Sequence, residues 1–237
     1  MLNDFRSLIW LRTRYLLSAK AILFVCVLTP ILDFYLLSLW GEARETVYFL
    51  NMALSMVYSL TAGTFVSMIV SEEKEKKNLK TLRLSGVTDK DYLLSVVFFP
   101  IFFASVTALF FPFPFGTTIP NWGTYLAVVL TTVFTFVFLN LSIALLCKTQ
   151  QQTVAFSMFF VMLANMLPAF VPAHQIVKQI AYHSFIGANT DYMATLGDYS
   201  LTSSSFLAQV SWLLLCLGLS IWAYRRAIIV GNYGFEK

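Results

Sequence analysis

Charge is what this chain has least of. Only 12% of its 237 residues are Asp, Glu, Lys or Arg, about half the share of an ordinary soluble domain, while 58% are hydrophobic. That balance excludes a water-soluble catalytic domain as the bulk of the chain. Histidine is reduced to two residues, His174 and His183, and cysteine to three, Cys26, Cys147 and Cys216. The cysteines lie singly in or at the ends of apolar runs, so neither a disulfide framework nor a thiolate metal site is expected. His174 and His183, taken with Asp191 and Asp198, match no zinc-ligand spacing. There is no Gly-x-Ser-x-Gly elbow and no Gly-Lys-Ser/Thr phosphate loop, which leaves no expected catalytic residue and no expected ATP hydrolysis by this chain.

What the sequence does have is long uncharged runs. A helix needs about 20 apolar residues to cross the hydrocarbon core of a bilayer. Runs of that kind fall at about 21–40, 47–70, 92–113, 123–147, 152–172 and 206–224. They are continuous, not the alternating ten-residue segments of a barrel, so the expected fold is an all-α membrane protein with six transmembrane helices. With the N-terminus inside, the cytoplasmic segments hold Arg6, Arg12, Arg14, Lys20, Lys74, Lys76, Lys77, Lys80, Arg83, Lys90, Lys148, Arg225, Arg226 and Lys237, leaving only Arg44 and Lys178 of the 16 basic residues outside. That asymmetry predicts a multi-pass protein of the cell membrane with both termini cytoplasmic. Residues 1–20 carry four basic residues and no early apolar core, so no cleavable leader is expected. Phe5, Leu8, Ile9 and Leu16 share a helical stripe that Arg12 interrupts, the pattern of a helix lying in the interface.

One internal block concentrates the charge: Ser71-Glu-Glu-Lys-Glu-Lys-Lys-Asn-Leu-Lys-Thr-Leu-Arg-Leu-Ser-Gly86. Read locally, Ser71 is an N-cap, Glu72, Glu73 and Glu75 fill a first turn, and Lys80 and Arg83 a last turn, each sign matching the helix dipole. Gly86 can take the left-handed conformation that stops a helix, and Thr88-Asp-Lys-Asp91 is a capping start for the third span. The expectation is a short, ordered cytoplasmic helix with a ridge of Leu79, Leu82 and Leu84 suited to docking in a partner's groove.

On the other side, the Pro-rich aromatic stretch 111–122 predicts either an interfacial loop or a re-entrant segment. Residues 173–205 predict an insertion containing a short amphipathic helix, with Ile176 and Ile180 on one side. Asp33 is the only ionisable residue well inside a predicted span, and either reaches the interface or serves a path or a helix pairing. Asn140 and Asn165 are polar residues within spans four and five, suited to interhelical bonds or to lining a substrate path.

This layout resembles the transmembrane subunit of a type-2 ABC exporter over nearly the whole chain. The most specific stretch is Glu72 through Leu94: an acidic-basic helix, a Leu-x-x-Leu ridge, a break and a polar start to the next span, although Asn78-Leu79 stands where many members have Gly-Thr-Leu. The resemblance implies one permease domain over 1–237: an interfacial elbow helix (1–20), two spans (21–70), a cytoplasmic coupling helix (71–91), three spans (92–172), an extracellular insertion acting as an outer gate (173–205), the last span (206–226) and a cytoplasmic tail (227–237). It implies that Glu72, Glu73, Lys76, Leu79, Leu82 and Arg83 dock a separate ATPase subunit, and that ATP and Mg bind to that partner and no cofactor to this chain. It further implies pairing with a second permease copy or homologue in a bacterial cell membrane. Asp33, Asn140 and Asn165 are candidates for the path of an amphipathic or lipophilic cargo such as a peptide, drug or lipid. No nucleic-acid partner is expected. The alternative reading is an ion-coupled secondary transporter with no ATPase.

Overall fold

The computed structural model describes residues 2–39, 47–76, 78, 85–171 and 174–233. All regular structure among them is helical, as lipid demands of any closed spanning chain that is not a barrel. The first helix, α1 (Leu2–Ser18), is followed by α2 (Lys20–Leu23), a wide π-type turn at Phe24–Leu28, and α3 (Thr29–Ser38). Then α4 (Val47–Met56), a second π segment at Val57–Thr64 and α5 (Phe65–Glu75) run on as one rod. The remaining long helices are α6 (Asp89–Phe110), α7 (Trp122–Leu146), α8 (Gln150–Phe170) and α11 (Ser204–Tyr233), with short helices α9 (Gln175–Tyr182) and α10 (Gly187–Thr195) between the last two.

Five of these rods are long and apolar enough to cross a membrane: Val47–Glu75, Asp89–Phe110, Trp122–Leu146, Gln150–Phe170 and Ser204–Ala227. A sixth is reached if the bent pair Arg6–Ser18 and Lys20–Leu36 counts as one; its two arms meet at 86°. The right angle has a sequence cause. Arg6, Arg12 and Arg14 on the first arm disfavour immersion, while 21–32 is free of charge.

The rods are not equivalent. The most apolar window of Val47–Glu75 is 83% buried, against 33%, 28% and 22% for Asp89–Phe110, Gln150–Phe170 and Ser204–Ala227. The second rod is therefore the axis around which α6, α7 and α8 pack. Its composition fits an axis. Ser55, Ser59, Thr61, Ala62, Gly63 and Thr64 are all buried small residues that let neighbouring backbones come close. Most of their hydroxyls bond within their own helix, but Thr61 donates to the Cys26 carbonyl at 2.6 Å, so the two π segments are tied to each other. Gly63 makes room for a neighbour: a Cβ there would lie 2.4 Å from Asn140 Nδ2, so the Asn140 side chain would have to shift.

Two expectations need correction. Ser71 does not open a new helix. It lies inside α5, where its hydroxyl donates back to the Met68 carbonyl at 3.2 Å, so Glu72, Glu73 and Glu75 occupy the last turn of a long rod and not the first turn of a short one. The local signs favoured a start, but apolar burial of Phe65 to Val70 carries the helix straight through. Second, the insertion 173–205 holds more than one short amphipathic helix, because α10 follows α9 and is the more enclosed of the two. Residues 111–116 form successive turns, with Phe111 and Phe115 tucked in and Ile119 buried just beyond, whereas Phe185 through Thr190 are all buried. Two local signals hold. Gly86 has φ +88°, and the Thr88 hydroxyl caps α6 by accepting from Asp91 N at 3.2 Å. Leu79, Leu82, Leu84 and Arg83 lie outside the described residues.

Candidate functional site

The charged end of the second rod is a junction. Four consecutive residues, Glu72 to Glu75, send their side chains to α1, α6, α7 and α8, and the Lys76 that follows folds back onto Glu72. Arg12 of α1 grips Glu73 with both guanidinium arms, Nη1 in a close ion pair and Nη2 at 3.0 Å. Tyr92 of α6 donates to the same carboxylate at 2.9 Å. The Tyr15 hydroxyl of α1 donates to Glu72, which also accepts from Lys76 Nζ at 2.5 Å.

The next two residues reach the opposite side. Lys74 Nζ donates to the carbonyls of Leu145 (2.5 Å) and Cys147 (2.7 Å) at the end of α7. Glu75 accepts from the Gln150 amide at the start of α8, at 3.3 Å. Each choice of sign is physical. The C-terminus of α7 leaves bare carbonyls and the negative end of a dipole, which a lysine satisfies; the N-terminus of α8 leaves bare N–H groups, which a carboxylate satisfies. One residue pair, Lys74-Glu75, thus clamps the α7–α8 turn from both sides.

α11 joins through aromatics. Arg12 sits 5.6 Å over the Tyr92 ring, Tyr92 stacks on Tyr224 of α11 with centroids 6.5 Å apart, and the Tyr224 hydroxyl donates to Asp89 at 2.9 Å. Placing three carboxylates at the C-terminus of their own helix is unfavourable by the dipole argument. Arg12, Tyr15, Tyr92 and Lys76 offset that cost, and they come mainly from elsewhere in the chain. Arg12 and Glu73 are nearly enclosed, their side chains 4% and 13% exposed, so neither charge can be removed alone without stranding the other. Burial, and then the adjacent Glu72 carboxylate, push the Tyr15 hydroxyl well above its ordinary value, which keeps it a donor.

Of the residues expected to dock a partner, Glu72 and Glu73 are thus engaged within the molecule, and Lys76 is exposed at the rim. Leu79, Leu82 and Arg83 lie in the undescribed stretch that leaves this junction. The path candidates are not gathered at one point. Asp33 is exposed on α3. Asn140 of α7 and Asn165 of α8 are buried, each donating to a carbonyl of its own helix, Phe136 at 3.1 Å and Val161 at 2.8 Å. Each side-chain oxygen is left without a partner among the described residues. Among the described residues no group of His, Cys, Asp and Glu could hold a metal ion.

Sequence reasoning missed Arg12, Tyr15, Lys74, Glu75, Tyr92 and Tyr224 as members of one cluster. The one available signal was Arg12 itself, a charge interrupting the apolar stripe of α1, which implies a buried carboxylate somewhere else. No protein-family model, curated protein or solved structure matches the chain.

Proposed function

We propose that the chain is the transmembrane permease subunit of an ATP-driven exporter of the type-2 ABC kind, with the junction at its charged end in the cytoplasm. In this reading the segment 77–84 docks a separate ATPase subunit that carries the ATP and Mg. α1 is an elbow in the cytoplasmic interface, and a second permease copy or homologue completes the path. The cargo is amphipathic or lipophilic.

The observation that carries the reading is the last turn of α5. A segment that only sets topology needs basic charge; it does not need Glu72, Glu73, Lys74 and Glu75 bonded between them to four other helices, α1, α6, α7 and α8. Such a turn makes a displacement of the adjoining segment felt at once by α1, α6, α7 and α8. The ion-coupled alternative calls for buried ionisable groups at mid-membrane. Asp33 is exposed, and the buried Arg12–Glu73 pair sits at a rod end, which favours the ATPase reading.

The test is capture from native membranes. The tagged chain should retain a protein with a Gly-x-x-x-x-Gly-Lys-Ser/Thr loop and ATP-hydrolysing activity, and Leu79→Asp with Leu82→Asp should abolish the capture without changing the elution profile of the permease. Retention of the ATPase by that double variant, or no ATPase with the unaltered chain, overturns the proposal.

A further inference from the structure

Helix α1 has two stripes, and the junction uses only one of them. Leu8, Arg12 and Leu16, four residues apart, are 4%, 3% and 3% exposed. With Tyr15 they form the face that grips Glu72 and Glu73. Arg6, Trp10, Arg14 and Leu17, spaced by four, four and three, share the opposite face, and all four are exposed. Trp10 is 58% exposed and Leu17 64%. The Arg14 guanidinium stands 4.5 Å over the Trp10 ring. Lys20, just beyond α1, is exposed as well, and the sequence has no carboxylate from Arg6 to Lys20.

The bend and the chemistry together say what this outward stripe meets. α1 leaves the first apolar run at 86°, so it lies along the membrane plane when that run lies along the normal. An indole and a leucine set among guanidinium groups suit a headgroup layer, with the apolar groups reaching toward acyl chains and the cations at the phosphates. The same pairing recurs on α11, where Arg226 lies 5.4 Å over the exposed Trp222. That pair flanks Tyr224, which stacks on Tyr92 of the junction, so both Arg–Trp pairs belong to the charged end of the molecule. A zwitterionic surface would satisfy the apolar groups but give Arg6, Arg14 and Lys20 no net attraction. An anionic one attracts all three.

We propose that the outward stripe of α1 is a docking surface for anionic phospholipid headgroups, and that lipid held there sets how firmly α1 grips the charged end of the second rod. One helix of 17 residues carries both stripes, and Arg14 is only two residues from Arg12. A headgroup that fixes Arg6, Trp10 and Arg14 therefore also fixes Arg12 and Tyr15 against Glu73 and Glu72. Lipid charge becomes an input to the junction in its own right. The inference needs α1 at a bilayer surface; it does not rest on the exporter reading.

The test is amide exchange in the full chain, in nanodiscs of phosphatidylcholine with and without phosphatidylglycerol. Phosphatidylglycerol should slow exchange in 8–18 and in 72–76. Arg6→Gln with Arg14→Gln should remove that effect in both segments, leaving exchange in pure phosphatidylcholine unchanged. A basic side chain close to an anionic surface contributes about fivefold, so the two should account for roughly twenty-fivefold in the opening of α1. Inorganic phosphate added to phosphatidylcholine nanodiscs should not reproduce the effect; if it does, the ligand is a free anion and the lipid surface is overturned. Equal exchange in the two lipids, or a lipid effect that survives in the double variant, overturns the docking surface. A lipid effect confined to 8–18, with 72–76 unchanged, overturns the coupling to the junction.

Discussion

The two ends of this molecule are fastened by different chemistry. At one end the second rod finishes in charges, each matched to a charge, a dipole or a hydroxyl on another helix. At the other end the same rod is hydrogen-bonded to α10 through the side chains of Asn51 and Tyr58, in a surround of packed rings, Tyr58 stacked on Phe136 and Phe136 edge-on to Phe185. The first fastening is stiff because separating buried opposite charges is expensive in a low dielectric. The second is soft because a carboxamide can exchange one partner for another. In the exporter reading, a displacement at the stiff end is what the rod would carry to the soft one. That contrast is what the exporter reading requires of it.

The contrast can be broken most severely at Arg12. Arg12→Met strands the buried Glu73 and should cost about 3–5 kcal/mol of stability, read as a lowered melting temperature in detergent. Arg12→Met with Glu73→Leu should recover most of it, because an apolar pair has no charge to strand; equal loss in the single and double variants would contradict the buried-pair account. At the soft end, Gly187→Ala should cost about 1–3 kcal/mol by forcing the Tyr182 carbonyl aside, and should raise proteolysis between α9 and α10 specifically. Lys74→Met removes the cap of α7 and should cost about 1–2 kcal/mol, with faster amide exchange confined to the last turn of α7. Lys76→Ala touches only the rim, where its side chain is 62% exposed, and should change stability by less than about 0.5 kcal/mol.

The stiff end was partly legible in the sequence and the soft end was not. The density of charge in 71–86 and the capping signal at Thr88 are local patterns, and the helix start at Asp89 follows from them. The continuation of α5 through Ser71 to Glu75 is not local. It follows from the burial of the preceding apolar turns, and its carboxylates are met by Arg12 and Tyr15, 61 and 57 residues away, which no periodicity in the block announces. Long apolar rods are legible because crossing a bilayer fixes their length. α10 is only nine residues long, and its stretch Gly187-Ala-Asn-Thr-Asp-Tyr-Met reads as an ordinary polar connection. Its burial comes from the cavity that α4, α7 and α11 leave for it. Asn140 was correctly singled out as a polar residue inside a span, but its tight partner is the absent side chain of Gly63, which carries no signal of its own.

The most direct measurement places a photo-cross-linking amino acid at Leu82, beyond the junction, and at Ile180, on exposed α9, in the intact protein in native membranes. The account predicts that Leu82 captures an ATP-hydrolysing subunit and that Ile180 does not. Capture of that subunit at Ile180, or reaction of Leu82 only with groups on the outer side of the membrane, would contradict it.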